Sequence, residues 1–294
     1  MTRELPSEIG ALLSGAGLSL LARQITDGFL VGLHRGTRQG AGTEFSQYRN
    51  YQPGDDIRRV DWKMFARSDR FFVKEAEIET SISIRFFIDA SSSMLYEENG
   101  ITRFDYAALT AASLATLAHR QGDAIALHVV NNQTRTDLEA RRGKNQISRF
   151  YNHLENIKCS SEWPQDTGWL TECTSRRREL WVICSDMLDG AEMWSSFKEM
   201  GEAFGHELQF LQILGEHELN FMPAGVATLQ DPETGMERTV RTHSVREQYL
   251  ENLKKYLDQL KTAVTGRRSR VNLLQMNHPV SESLKILLDR RNRL

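Results

Sequence analysis

The 294-residue sequence predicts an α/β fold: a mostly parallel sheet flanked by helices, with an N-terminal collar and a small β-hairpin added to it. Three observations carry this. From Ile82 onward, apolar strand-like runs alternate with helical patterns, the order that builds a parallel sheet with right-handed crossovers. The run Glu179–Leu188 (ELWVICSDML) is almost continuously apolar, as a strand covered on both faces must be. Between the first two strands, Ala107, Ala108, Ala111, Ala112, Ala115 and Ala118 give a helix a flat face that approaches a sheet closely.

Each element follows in order. Residues 1–33 carry a helical apolar pattern through Ile9, Leu12, Leu13, Leu18, Leu21, Ile25 and Phe29, interrupted by Gly15 and Gly17. They are expected to form an arm of one or two short helices. Residues 34–81 are rich in Gly, Arg, Asp and aromatics and show little periodicity. A turn is expected at Pro53-Gly54-Asp55, with short strands over Arg70–Lys74 and Glu77–Ser81. Residues 82–294 make the main α/β domain. Strands are expected at SIRFFID (83–89), Asp123–Val130, ELWVICSDML, Glu207–Leu214 and Arg270–Met276. Helices are expected over Asp105–Arg120, Asn145–Lys158, Thr167–Arg177, Met193–Phe204, Arg246–Thr262 and Ser281–Asp289. The hairpin falls near 226–240, turning at Pro232-Glu233-Thr234-Gly235.

Composition removes several classes of function. The 37 basic and 39 acidic side chains nearly cancel, which disfavours a dedicated nucleic-acid binder. Six prolines and no low-complexity run argue against long disorder. No stretch approaches the roughly 20 apolar residues of a membrane span, and the N-terminus lacks a signal-peptide core, so a cytoplasmic location is expected. Cys159, Cys173 and Cys184 have no zinc-site spacing and read as buried or half-buried free thiols. The eight histidines suggest no metal or base cluster; His119 and His128 read as helix-end and strand-face residues.

In parallel sheets ligands sit beyond the C-terminal strand ends. The first core strand ends in Asp89-Ala90-Ser91-Ser92-Ser93, a D-x-S-x-S pattern in which alternate side chains point one way. One carboxylate and two hydroxyls are hard donors suited to Mg²⁺, with Mn²⁺ or Ca²⁺ as alternatives. A later strand delivers Asp186 to the same sheet edge, and Thr167 or its neighbour Asp166 stands in a loop before a helix. Two carboxylates leave a divalent ion undercharged and receptive to a carboxylate from a partner. The competing reading has Asp89 capping the turn while the serines bond to backbone.

This pattern resembles the metal-ion-dependent adhesion site of von Willebrand factor A domains, a Rossmann-like fold. The resemblance implies that Asp89, Ser91, Ser93, Thr167 and Asp186 hold the metal, although the Thr loop departs from the commoner Gly-Gly-Thr form. A dense run lies upstream: Gly42-Thr43-Glu44-Phe45, then Arg49, Tyr51, Gly54, Asp55, Asp56, Arg58, Asp61, Trp62, Ala66 and Arg67. It is similar to the hallmark of the bacterial family called domain of unknown function 58, and the similarity extends over roughly residues 34–294. The resemblance implies a partnership with a MoxR-type AAA+ ATPase in chaperone-like assembly of client proteins. A client would supply a carboxylate to the metal. With no Walker A pattern in the chain, ATP hydrolysis would belong to the partner.

Read from its residues alone, the upstream run suggests a folded collar of Asp–Arg ion pairs anchored by Trp62 and Phe45. A partner-binding surface and a catalytic or nucleic-acid site are the alternatives. A Mg²⁺-dependent phosphoester hydrolase would want a second Asp two residues after Asp89, where Ser91 stands. Single-strand binding through Arg35, Arg38, Arg49, Arg58, Arg59 and Arg67 is opposed by Asp55, Asp56 and Asp61 among them. The expectation is therefore a non-enzymatic interaction module.

Overall fold

The computed structural model describes residues 17–37, 48–52, 60, 62–74, 82–173, 175, 177–221, 226–230 and 237–285. The chain divides into two units, residues 30–81 and residues 1–29 with 82–294. The elements are α1 (Leu18–Thr37), β1 (Tyr48–Asn50), α2 (Trp62–Ser68), β2 (Phe72–Lys74) and β3 (Ser83–Asp89). A 3₁₀ turn at Ser92–Leu95 leads to β4 (Glu97–Glu98), β5 (Ile101–Thr102), α3 (Arg103–Arg120), β6 (Ala124–Val130) and β7 (Arg135–Arg141). Then come α4 (Lys144–Glu155), α5 (Leu170–Cys173), β8 (Leu180–Ser185), α6 (Ala191–Ala203), β9 (Glu207–Leu214) and α7 (Glu216–Asn220). The hairpin β10 (Val226–Gln230) and β11 (Glu237–Arg241), α8 (Thr242–Val264) and β12 (Ser269–Gln275) follow, and residues 281–285 are helical.

In the unit of residues 30–81, β1 and β2 pair antiparallel, Arg49 opposite Val73. The backbone N–H of Tyr51 donates to the Phe71 carbonyl at 2.9 Å. The short helix α2, which the weak periodicity did not announce, contributes to an aromatic cluster. Phe65 stacks on Phe71 at 4.3 Å, and Trp62 meets both edge-on. Trp62 is 56% exposed and packs at the surface of this cluster. Gly54, Asp55, Asp56, Arg58 and Asp61, with the ion pairs expected of them, lie outside the described residues, as does the expected strand at 77–81.

The large unit is built on a six-stranded sheet in the order β12-β9-β8-β3-β6-β7. All neighbours are parallel except β6 and β7. The chain leaves β3 for β6 on one side and later returns to β8 on the other. The C-terminal ends of β3 and β8 therefore bound the point where the strand order reverses. Alternation along β3 divides the core: Phe86 faces Phe150 of α4, ring centres 5.2 Å apart. On the opposite face Phe87 packs with Trp181 and with Phe197 of α6, among Trp194, Phe210 and Leu260. Every alanine of the α3 face is at least 96% buried, as the close approach of helix to sheet requires.

α1 starts directly after Gly17, whose φ of +77° suits glycine, and runs as one helix. Its first half is tied to the large unit: Leu18 N–H donates to Glu155, Thr26 to the Ser113 carbonyl, and Arg120 pairs with Asp27. Strand β7 escaped the sequence because it alternates only charged and small polar residues around one buried Leu138, the composition of a protected edge. The helix expected over 167–177 shrinks to α5, and α8 is longer than expected at both ends. The three cysteines are free, Cys173 and Cys184 buried and Cys159 half-buried, as read from their spacing.

At the N-terminal strand ends Arg85 makes two bonds to Glu179, Nε to Oε2 at 2.8 Å and Nη2 to Oε1 at 3.1 Å. Beside them fully buried His206 stacks on Trp181 at 4.6 Å and accepts the Glu179 backbone N–H at Nδ1. Burial pushes the His206 imidazole below the ordinary histidine range, more strongly than nearby Glu179 pulls it up. The unfolded chain therefore binds its proton more readily, and stability is lost as pH falls below about 6.5. Calorimetry from pH 7.5 to 5.5 should show a falling midpoint, with a shallower fall in His206→Asn.

Candidate metal centre

The site is assembled from two strand ends and the helices they lead into. Asp89, the last residue of β3, is fully buried. Its Oδ1 accepts the Ser91 backbone N–H at 2.8 Å, and its Oδ2 accepts the Ser185 hydroxyl at 2.6 Å. Ser91 and Ser93 follow with their hydroxyl oxygens 3.0 Å apart; Ser91 is extended but Ser93 lies in the 3₁₀ turn, so a turn rather than strand alternation brings the hydroxyls together. The strand end is backed by the loop after α4: Ser160 N–H donates to the Ala90 carbonyl, and Ser92 N–H to that of Ser161.

From β8, Asp186 reaches the same edge. One carboxylate oxygen accepts the Leu188 N–H at 3.2 Å, and the other takes Nη1 of Arg103. Arg103, the first residue of α3, is almost fully buried. Its Nη1 also donates to the Ser93 carbonyl at 2.9 Å, and its Nη2 donates to both oxygens of Glu218 at 2.6 Å. Glu218 accepts the Gly215 N–H, which closes the first turn of α7. Glu98 accepts the Glu216 and His217 N–H groups at the same helix start, a carboxylate set against a positive helix end. A Cβ on Gly215 would run into Glu98 and Tyr96, so this close approach requires glycine.

A third carboxylate joins the two expected. Oxygens of Asp89, Asp186 and Asp189 lie within 4.8 Å of one another. Met187, at φ +57°, and Gly190, at φ +105°, turn the loop so that Asp189 folds back toward the strand end. The Tyr256 hydroxyl of α8 pins that loop at both ends, donating to the Met187 carbonyl and accepting the Gly190 N–H at 3.3 Å. The site is thus more acidic than the two-carboxylate arrangement expected of it. Burial, and next the Asp186 charge, push the Asp89 carboxyl up to about 7.

Thr167 is half-buried in the loop before α5, where its carbonyl accepts the Leu170 N–H. The bonds that knit the cluster run through Ser185 and Arg103, neither of which was foreseen as a site residue. Ser185 stood in plain view between Cys184 and Asp186. Arg103 opens the alanine-rich helix, and only the fold reveals that its guanidinium points back at β8.

One histidine has acidic and thiol neighbours that its place on a strand face did not announce. His128 of β6 lies with Asp137 and Cys173, its Nδ1 at 2.7 Å from Asp137 Oδ1 and 3.6 Å from the Cys173 sulfur. Its Nε2 is 2.7 Å from Arg85 Nη1, which only donates. Nε2 therefore accepts, the ring proton sits on Nδ1, and it is directed at Asp137. The group is a hydrogen-bond relay rather than a ligand set, and burial holds the Cys173 thiol up at about 11.

All donors at the strand end are oxygens, carboxylate and hydroxyl, and they suit a hard divalent cation such as Mg²⁺. Two buried carboxylates side by side are in addition an unfavourable pair that a cation would relieve.

The chain as a whole is similar to proteins already known. A family model described as "Protein of unknown function DUF58" matches residues 47–257. An uncharacterized protein of Mycobacterium tuberculosis, Rv1480, is 28% identical over 228 residues, covering 75% of this chain and 70% of its own. Its Mycobacterium bovis counterpart, Mb1516, matches to the same extent. Among solved structures, an aerotolerance-related membrane protein from Bacteroides fragilis aligns with a TM-score of 0.47 at 12% identity, over 73% of this chain and all of that one. BatB from Bacteroides thetaiotaomicron gives 0.43 at 13%, over 73% and 100%. The SpRpn10 VWA domain gives 0.41 at 10%, over 70% and 94%. Among the described residues no helix is long and apolar enough to cross a membrane.

Two outcomes are expected. Arg103→Met strands Asp186 and Glu218 without their shared cation and should cost about 3–5 kcal/mol in a denaturant titration. Asp89→Asn removes one of two neighbouring buried charges, so it should raise the thermal midpoint of metal-free protein and abolish any further rise on adding Mg²⁺.

Proposed function

The chain belongs to the DUF58 family, and from that membership and its strand-end cluster we propose that it is a non-enzymatic, metal-dependent protein-interaction module. The observation that carries the proposal is the all-oxygen donor set at the point of strand-order reversal: Asp89, Ser91, Ser93 and Asp186, with Thr167 the remaining candidate. These residues suit Mg²⁺, with Mn²⁺ or Ca²⁺ as alternatives. A cation there supplies positive charge to which a partner's carboxylate is drawn. The chain's own groups hold the carboxylates and hydroxyls in place: Ser185 and the Ser91 N–H orient Asp89, and Arg103 and the Leu188 N–H orient Asp186.

The partners we propose are those the family resemblance implies: a MoxR-type AAA+ ATPase, and a client protein that offers an acidic residue. An enzymatic role finds less support, because the groups directly on Asp89 are hydroxyl and amide donors that orient a carboxylate, and Ser91 stands where a phosphoester hydrolase would want its second Asp.

Asp89→Ala should abolish Mg²⁺ binding in a calorimetric titration while far-ultraviolet circular dichroism stays unchanged. The same variant should lose, in Mg²⁺ buffer, a purified MoxR-type ATPase or client that wild type captures, and chelator should remove that capture from wild type. Equal capture by wild type and Asp89→Ala, with and without chelator, would sink the proposal.

A further inference from the structure

Asp189 lies outside the D-x-S-x-S pattern and outside the residues that the family resemblance implies, yet its carboxylate stands with those of Asp89 and Asp186. Its position is built. Tyr256, reaching from α8, bridges the Met187 carbonyl and the Gly190 N–H, the two ends of the loop that carries it. Asp189 is half-buried, whereas Asp89 and Asp186 are both buried.

The charges make this placement consequential. Arg103 is shared by Asp186 and Glu218, so these three side chains together carry one negative charge, and Asp89 when ionised adds a second. Asp189 adds a further one, beyond what a divalent ion needs for balance. A site so charged draws an external carboxylate less strongly than the two-carboxylate site expected from sequence.

Resting on the proposed metal-dependent reading, we infer that Asp189 is a built-in carboxylate ligand to the strand-end cation, occupying the position a partner's carboxylate takes and yielding it only by displacement. Tyr256 acts through the loop as a positioning residue. The device makes capture competitive: a partner's acidic residue must outbid a side chain held at high local concentration.

The test uses the full chain and Mn²⁺ alone as the probe. Binding is followed by electron paramagnetic resonance of free Mn²⁺, and the water held by the bound ion by water-proton relaxation. Asp189→Asn keeps the side-chain shape; Asp189→Ser is a second variant should the first misfold. Either should weaken Mn²⁺ binding about tenfold, the order by which ligand charge tunes such sites, and raise the relaxation enhancement per bound ion as water fills the vacated position. Tyr256→Phe should move both readouts the same way by less. Wild-type affinity and relaxation in the Asp189 variants, alongside loss of binding in Asp89→Ala, would overturn this inference and leave the proposed function standing. Undiminished Mn²⁺ binding in Asp89→Ala would overturn both.

Discussion

The guanidinium of Arg103 holds the functional end of the molecule together. Almost fully buried, it joins the end of β8 through Asp186, the turn after β3 through the Ser93 carbonyl, and the start of α7 through Glu218. A cation taken out of water is costly unless its donors are used, and here four of the five are engaged; Nε has no hydrogen-bond partner among the described residues. Arginine is suited to this as lysine is not, because its two terminal nitrogens reach separate acceptors, Nη2 both oxygens of Glu218 and Nη1 Asp186 and the Ser93 carbonyl. Tyr96 covers the guanidinium at 4.9 Å and is itself fixed by its bond to Glu98. Arg103, Tyr96, Glu98, Glu218 and Gly215 thus form one polar bridge from the strand ends to α7.

The sheet explains why this bridge is where it is. β3 lies between β6 and β8, and the crossovers leave it in opposite directions, which opens a crevice at its C-terminal end. Below the crevice the core is rigid: the alanines of α3 lie against one face, and a cluster of Phe87, Trp163, Trp181, Trp194 and Phe197 fills the other. On that base Asp89 can be kept fully buried with both oxygens bonded. The burial that orients it also raises the cost of its charge.

Much of the framework was legible in the sequence. The mainly apolar runs at 83–89, 180–185 and 207–214 are buried along almost their whole length because both sheet faces are covered, and the alanine face of α3 could belong only to a closely packed helix. The strand-end Asp89 and Asp186 were legible because each closes an apolar run; the serines were legible as a pair, although a 3₁₀ turn and not an extended segment brings their hydroxyls together. What escaped depended on tertiary approach. β7 has the composition of a loop and becomes a strand by pairing with β6. Arg103 and Ser185 had no pattern of their own, and His128 found Asp137 and Cys173 only through neighbouring strands and α5. Asp189 was hidden because the turn that folds it back depends on Met187 in a left-handed conformation and on Tyr256, nearly seventy residues away.

The bond from Ser185 to Asp89 spans 96 positions of the chain, whereas the bond from Asn131 to the same strand end, at Ala90, spans 41. Closing the longer span costs more chain entropy, by about 0.8 kcal/mol on a logarithmic scale. The turn bearing Ser91 and Ser93 can therefore be braced by β6 and its hairpin while Asp186 is still distant. The acidic cluster becomes complete only when β8 docks on the far side of β3. Repulsion between its carboxylates therefore arises only once β8 stands beside β3.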